Sequence, residues 1–155
     1  MGWVTLASRK QSLYLSSNHL ELRDLSLSRS TRSTQRDSAY EQSIIKNNKS
    51  AELREIKDAY DDVRSERPED MKSEEYSEWM TDYNMAREDY ESQKNEINDY
   101  YEDQLANLEQ ESADKEAEIQ QEQQTVEAQL EAVSAEIEAV EEQMTQEIEQ
   151  STIQV

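Results

Sequence analysis

The chain has 155 residues, of which 34% are hydrophobic, and its 37 acidic and 16 basic side chains give a formal net charge of −21 at pH 7. Leu, Ile and Val together supply only 25 residues and Phe supplies none, which is too few to fill the core of an ordinary globular domain. One Gly, one Pro and no Cys argue against sheets, phosphate-binding loops, disulfides and cysteine-based zinc sites.

The charge is divided unevenly along the chain. Residues 1–50 carry eight basic and four acidic side chains, whereas residues 51–155 carry eight basic and 33 acidic ones. This polarity predicts that the two ends attract each other, or that each end has a partner of opposite charge.

Residues 3–27 form the first predicted element. Leucines recur there at intervals of seven, and Trp3 extends the row by one turn: Leu6, Leu13, Leu20 and Leu27. Leu15 and Leu22 repeat at the same interval on the opposite side. Leucines two residues apart would also suit a strand, but a helix is favoured because one heptad frame joins all four leucines of the row.

Residues 28–38 are rich in Ser, Thr and Arg and lack apolar anchors, so they suit either a linker or a solvated helix. In a helix, the guanidinium groups of Arg29, Arg32 and Arg36 would share one face. Residues 1–49 are therefore expected to form a basic N-terminal segment.

The run Asn47-Asn48-Lys49-Ser50 is predicted to break the chain, with Ser50 as the N-cap of a short amphipathic helix in segment 50–67. This helix is expected to end near Ser65, because Pro68 disfavours helical geometry at the residue before it.

Segment 68–155 is predicted to be one long acidic helix. Pro68 and the two carboxylates after it suit a first helical turn, and Ser73 is an alternative cap. Apolar residues then keep close to helical spacing, and the first aromatic residues form a possible second interface: Tyr76, Trp79, Tyr83 and Tyr90. At this spacing aromatic side chains are typical of packing surfaces.

The strongest pattern lies near the C-terminus, where six apolar residues alternate spacings of four and three: Val126, Leu130, Val133, Ile137, Val140 and Met144. This heptad is typical of a coiled coil. Ile148 falls one position off the frame.

Charges flanking this heptad bear on its partner. A homodimer would set acids against acids at Glu127, Glu136 and Glu141, at a modest cost per exposed pair. The pattern therefore favours a less acidic partner, either the chain's own N-terminal half or another protein. A second stripe on the opposite face either reflects helix propensity alone or marks a second contact face: Ala128, Ala132, Ala135 and Ala139.

No catalytic, cofactor-binding or metal-binding residue is predicted, so the chain is expected not to be an enzyme and to have no small-molecule substrate. His19 is the only His and belongs to no metal motif. Asp82-Tyr83-Asn84 begins like a calcium loop, but Met85 and Ala86 follow and the required Gly is missing. Nucleic-acid binding is disfavoured by the net charge.

The N-terminus does not resemble a signal peptide, and no apolar run approaches the ~20 residues of a membrane span. The expectation is a cytoplasmic protein or a component of a larger assembly.

The opening Met1-Gly2-Trp3-Val4-Thr5-Leu6-Ala7-Ser8-Arg9-Lys10 and the ending Glu147-Ile148-Glu149-Gln150-Ser151-Thr152-Ile153 resemble a group of uncharacterised bacterial helical and coiled-coil proteins. The similarity covers about ten residues at each end. It implies a bacterial or phage origin, and it implies no activity and no functional residues.

Together these patterns predict an all-α fold with elongated helices, in which an N-terminal helix, a short middle helix and a long C-terminal coiled-coil helix form an antiparallel hairpin or small bundle. The predicted function is structural or assembly-related, through coiled-coil association with itself or with other proteins. The alternative is an acidic adaptor, chaperone or inhibitor that binds a basic protein.

Overall fold

The computed structural model describes residues 2–153, so Met1, Gln154 and Val155 lie outside the described residues. Helix α1 spans Trp3–Ser65 and helix α2 spans Glu74–Ile153. The two helices pack on each other as a helical hairpin, and residues 2–153 contain no strand. The predicted all-α hairpin is confirmed, and so is the choice of helix over strand for residues 3–27.

Each helix has one row of shielded positions, and this row follows a spacing of three or four residues without interruption. In α1 the row begins with buried Leu6, reaches buried Leu27 and continues to half-buried Val63. In α2 it runs from half-buried Tyr76 to half-buried Glu147. We call these rows the seam. Such spacing keeps one narrow face of a helix against its partner.

The predicted break at residues 47–50 is wrong, because α1 continues through it and Ser50 is an exposed residue in mid-helix. The seam crosses the whole polar stretch at half-buried positions: Thr31, Thr34, Ser38, Gln42, Ile45 and Lys49. Polar residues cost at most about 0.7 kcal/mol each in a helix interior, and packing along a seam overrides a cost of that size. The predicted N-terminal and middle helices are therefore one helix.

The end of α1 at Ser65 is as predicted from Pro68. The start of α2 is different, because Pro68 lies in the connection and helix begins only at Glu74. Asp70 organises this connection: its carboxylate accepts a hydrogen bond from the Lys72 amide at 3.0 Å, and its carbonyl accepts one from the Ser73 hydroxyl at 2.7 Å. The Asp70 turn takes the place of the first helical turn expected after Pro68.

Ser73 is the N-cap of α2, as the alternative prediction had it. Its Oγ accepts a hydrogen bond from the amide of Tyr76 at 3.1 Å. This bond satisfies one of the amides that lack a partner in the first turn of any helix. Glu74 and Glu75 occupy that turn, where their negative charges complement the helix dipole.

The chain divides into two compact units. We call Met1–Gln35 with Ala113–Val155 the terminal unit, and Arg36–Ser112 the loop unit. Four of the described buried side chains belong to the terminal unit, namely Leu6, Leu27, Val126 and Val140, and two belong to the loop unit, namely Tyr101 and Leu108. Neither described helix has an apolar stretch long enough to cross a membrane.

Candidate interaction surfaces

The ten residues predicted for a helix seam all lie on the shielded faces of the terminal unit. Leu6 and Leu27 of α1 and Val126 and Val140 of α2 are buried. The other six are half-buried: Leu13, Leu20, Leu130, Val133, Ile137 and Met144. These side chains pack inside the hairpin, so within the terminal unit the heptads of the two chain ends face each other. Ile148, predicted to be off the frame, is exposed.

A polar cluster joins the two helices beside this seam. Lys10 Nζ lies 3.3 Å from Glu141 Oε1, and the Tyr14 hydroxyl donates to the same oxygen at 3.0 Å. The Lys10 ammonium also lies 5.8 Å from the centre of the Tyr14 ring, within the range of a cation–π contact. Glu141 therefore receives a basic partner and a hydroxyl from the opposite helix.

Further polar pairs fix the direction of the helices in the terminal unit. Arg23 Nη2 donates to Glu122 Oε2 at 2.6 Å. The Gln123 side-chain amide donates to the Ser28 hydroxyl at 3.4 Å. Lys10, near the start of α1, pairs with Glu141, whereas Arg23 and Ser28 pair with Glu122 and Gln123. The partner on α2 therefore lies nearer the N-terminus of α2 as the chain proceeds along α1, and the pairing is antiparallel. The predicted attraction between the basic and acidic ends thus acts within this unit.

These pairs are exposed, and this limits their strength. The side chains of Arg9 and Glu136, for example, lie 3.9 Å apart at their charged ends and are about half exposed. Exposed ion pairs contribute about 0.2–1 kcal/mol each and weaken as salt increases. The seam therefore determines the stability of the terminal unit, and the ion pairs mainly favour one register.

The four aromatic residues predicted as a second interface lie half-buried in the loop unit, where they form one stack with Tyr60 of α1. The Tyr60 and Tyr90 rings are 4.9 Å apart and nearly parallel, and the Trp79 and Tyr83 rings are 5.0 Å apart. Tyr76 lies 5.5 Å from Trp79. Stacked rings of this kind contribute about 0.5–1.5 kcal/mol beyond their buried area. The stack fastens α2 to α1 inside the loop unit.

Two tyrosine hydroxyls in the loop unit are held in their neutral form. A hydrogen bond of 2.9 Å between the hydroxyls of Tyr60 and Tyr83, with desolvation as a further cause, raises the pKa of Tyr60. Burial raises the pKa of Tyr101, and a hydrogen bond to the carboxylate of Glu52 adds to the effect. Since Tyr is neutral at pH 7 in any case, these shifts matter for stability in alkali.

The outer side of α1 keeps several large apolar side chains in solvent. Leu15 and Leu22 are each 64% exposed and Leu25 is 57% exposed. Leu15 and Leu22 lie on the face opposite the seam, because they are two residues beyond Leu13 and Leu20 in the heptad. These leucines are not part of the seam.

A groove runs along one side of the terminal unit between the two helices. It is lined by Leu15, His19, Leu20 and Arg23 of α1 and by Gln129 and Val133 of α2, among others. His19 is exposed at this groove. Among residues 2–153, no group of three or more His, Cys, Asp or Glu side chains is arranged to hold a metal ion.

The alanine stripe of α2 lies on the outside of the terminal unit. Ala128 and Ala132 line a shallow depression together with Gln121, Gln124, Thr125 and Gln129. All four alanines of the stripe are exposed. Their short side chains leave room for a side chain from another helix to approach the backbone of α2 closely.

The individual polar pairs beside the seam cannot be read from the sequence. The separation of basic and acidic residues indicated an antiparallel pairing. The pairing of Lys10 and Tyr14 with Glu141, however, depends on the register between the helices. A shift of one residue along α2 would exchange Glu141 for Val140 or Glu142. The charges along the chain do not show which of these registers the two helices adopt.

No protein-family model, curated protein or solved structure matches this chain. The surfaces described above are therefore the basis for any functional argument.

Proposed function

We propose that this protein is a non-enzymatic structural or assembly protein that joins a larger bacterial or phage complex through coiled-coil association of its helices. The observation that carries the proposal is the exposure of Leu15 and Leu22 on the outer side of α1. The hairpin's seam is already filled by its own two helices, and these leucines are not part of it. Exposed apolar side chains in a row are typical of a surface that binds another helix.

Sedimentation velocity over a range of protein concentrations tests this function. We expect the weight-average mass to rise with concentration, and to rise further as the pH is lowered toward the pI of about 4.3, because protonation of glutamates removes repulsion between copies. A monomer at every concentration and pH would contradict self-assembly.

The second candidate is an acidic adaptor, chaperone or inhibitor that covers a basic protein surface. The supporting observation is the charge of residues 113–155, which carry twelve acidic side chains and one basic side chain. Glu127, Glu131 and Glu138 are among the exposed acidic residues. A basic protein such as lysozyme, immobilised as bait, distinguishes the two functions. An adaptor would bind it tightly at low salt and release it as salt increases or pH falls, whereas self-assembly strengthens as pH falls.

A further inference from the structure

We propose that the occupant of the outer face of α1 in the terminal unit is a second copy of this chain, whose α2 presents the alanine stripe. Leu15 and Leu22 of one copy then pack on Ala135 and Ala128 of the next. This inference rests on the proposed assembly function and names its partner.

The two faces match in spacing. Leu15 and Leu22 are seven residues apart on the outer face of α1, and Ala128 and Ala135 are seven apart on the outer face of α2. All four side chains are exposed. Large side chains on one helix and small ones on the other allow the helices to approach closely, with each leucine entering the space above an alanine.

The two faces also lie at corresponding positions along the helix axes. Within the terminal unit, Lys10 pairs with Glu141 and Ser28 with Gln123, while Arg9 pairs with Glu136 and Arg23 with Glu122. The same antiparallel pairing, repeated between copies set side by side, brings Leu22 level with residues 123–129 and Leu15 level with residues 130–136. Ala128 and Ala135 lie within these ranges.

Opposite charges favour contact between α1 of one copy and α2 of another. Of the five basic side chains of residues 1–35, Arg9, Lys10 and Arg23 pair with α2 of their own copy, which leaves exposed Arg29 and Arg32. Residues 113–155 carry one basic and twelve acidic side chains. Arg29, seven residues beyond Leu22, continues the same exposed face and comes level with the acidic stretch that includes Glu118 and Glu122. Contact between two α2 helices would instead oppose acids to acids, which is unfavourable.

The contact joins a face of α1 on one copy to a face of α2 on the next. Because Ala132 of the alanine stripe borders the same groove as Leu15, a twofold dimer can form this contact twice. A pair of copies that forms it only once keeps one leucine face and one alanine stripe open and can add further copies. The mass should therefore rise at least to that of a dimer.

Cysteine crosslinking tests the geometry directly, because the chain has no Cys. We expect oxidation of a mixture of Leu22→Cys and Ala128→Cys chains to give a covalent dimer of the two variants. Each variant alone should give none, because disulfides require Cα atoms within about 7 Å. Tyr40→Cys mixed with Ala128→Cys is the control and should remain uncrosslinked, because Tyr40 is exposed and belongs to the loop unit. Crosslinking of Leu22→Cys with itself, or equal yields in the control mixture, would overturn the proposal.

A second measurement uses the paired substitution Leu15→Ser/Leu22→Ser with Tyr40→Ser as its control, because Tyr40 is exposed and lies in the loop unit. We expect the paired variant to sediment as a monomer where the wild-type chain and Tyr40→Ser form larger species. Circular dichroism should show unchanged helix content, because both leucines are exposed. If the wild-type chain assembles and the paired variant assembles equally well, this inference fails while the assembly function stands. A monomeric wild-type chain contradicts both.

Discussion

At the scale of single residues, the aromatic side chains of the loop unit do more than fill space. Trp79 lies on α2, and its indole Nε1–H donates to the carbonyl of Val63 in the last turn of α1 at 2.8 Å. The last four carbonyls of a helix lack partners within the helix. Trp79 thus combines stacking on Tyr83 with closing the end of the opposite helix.

Trp79→Phe should lower the free energy of unfolding by about 1–2 kcal/mol, since it removes a hydrogen bond and part of the stacked area. Urea denaturation followed by circular dichroism at 222 nm measures this change. Trp3→Phe is the matched control, because Trp3 is exposed, and it should change stability by less than about 0.5 kcal/mol. Equal effects of the two substitutions would contradict the role given to Trp79.

Tyr60 and Tyr101 predict a loss of stability in alkali. Their pKa values are raised in the folded chain, so the unfolded chain releases these protons first, near pH 10. The stabilisation from the neutral hydroxyls is complete below that pH and is lost as pH rises through the folded-state pKa values.

Thermal denaturation at about pH 8 and about pH 11 should show a smaller alkaline loss in Tyr60→Phe and Tyr101→Phe than in the wild-type chain. Exposed Tyr40 provides the comparison, and Tyr40→Phe should follow the wild-type chain. Unchanged alkaline sensitivity in both test variants would contradict the assignment.

At the scale of elements, α2 begins where a side chain can cap it and not where Pro68 first allows a helix. Ser73 supplies the cap, and the Asp70 turn brings Ser73 into position. The local sequence is compatible with a helix that begins after Pro68 and with one that begins after Ser73. The later start is observed because the Asp70 carboxylate accepts a hydrogen bond from the Lys72 amide, which holds residues 70–73 in a turn.

Ser73→Ala should destabilise the chain by about 1 kcal/mol through loss of the cap, and Ser73→Asp should restore most of it. Denaturant unfolding of both variants provides the measurement. Ser77→Ala, at an exposed position one turn into α2, should have little effect. A neutral Ser73→Ala substitution would show that the cap does not contribute.

At the scale of the whole molecule, net charge and ion pairs act on folding in opposite directions. The net charge is −21, and the described ion pairs between the helices of the terminal unit are at least one-third exposed and individually weak. Salt screens both effects. Because repulsion involves far more charges, its reduction should dominate.

Raising NaCl from about 20 mM to about 500 mM, which shortens the Debye length severalfold, should therefore raise the midpoint of thermal unfolding. Circular dichroism during heating measures the midpoint. Arg23→Gln, which removes the ion pair to Glu122, should show the same direction of change. A midpoint that falls with salt would mean that the ion pairs outweigh the repulsion.

The sequence by itself indicated that this chain is helical, because one Gly and one Pro argue against many tight turns and the heptad frames favour a helix over a strand. It also indicated the antiparallel pairing of a basic end with an acidic end, because opposite charges attract. The end of α1 at Ser65 followed from Pro68 alone.

Only the tertiary structure showed that α1 continues through residues 28–50. The helix propensities of these residues are weak, and packing along the seam with α2 stabilises the helix there. It also decided which leucines are shielded and which are not. Leu20 and Leu22 are chemically identical. Because of where α2 packs, Leu20 is part of the seam and Leu22 is exposed and available to a partner.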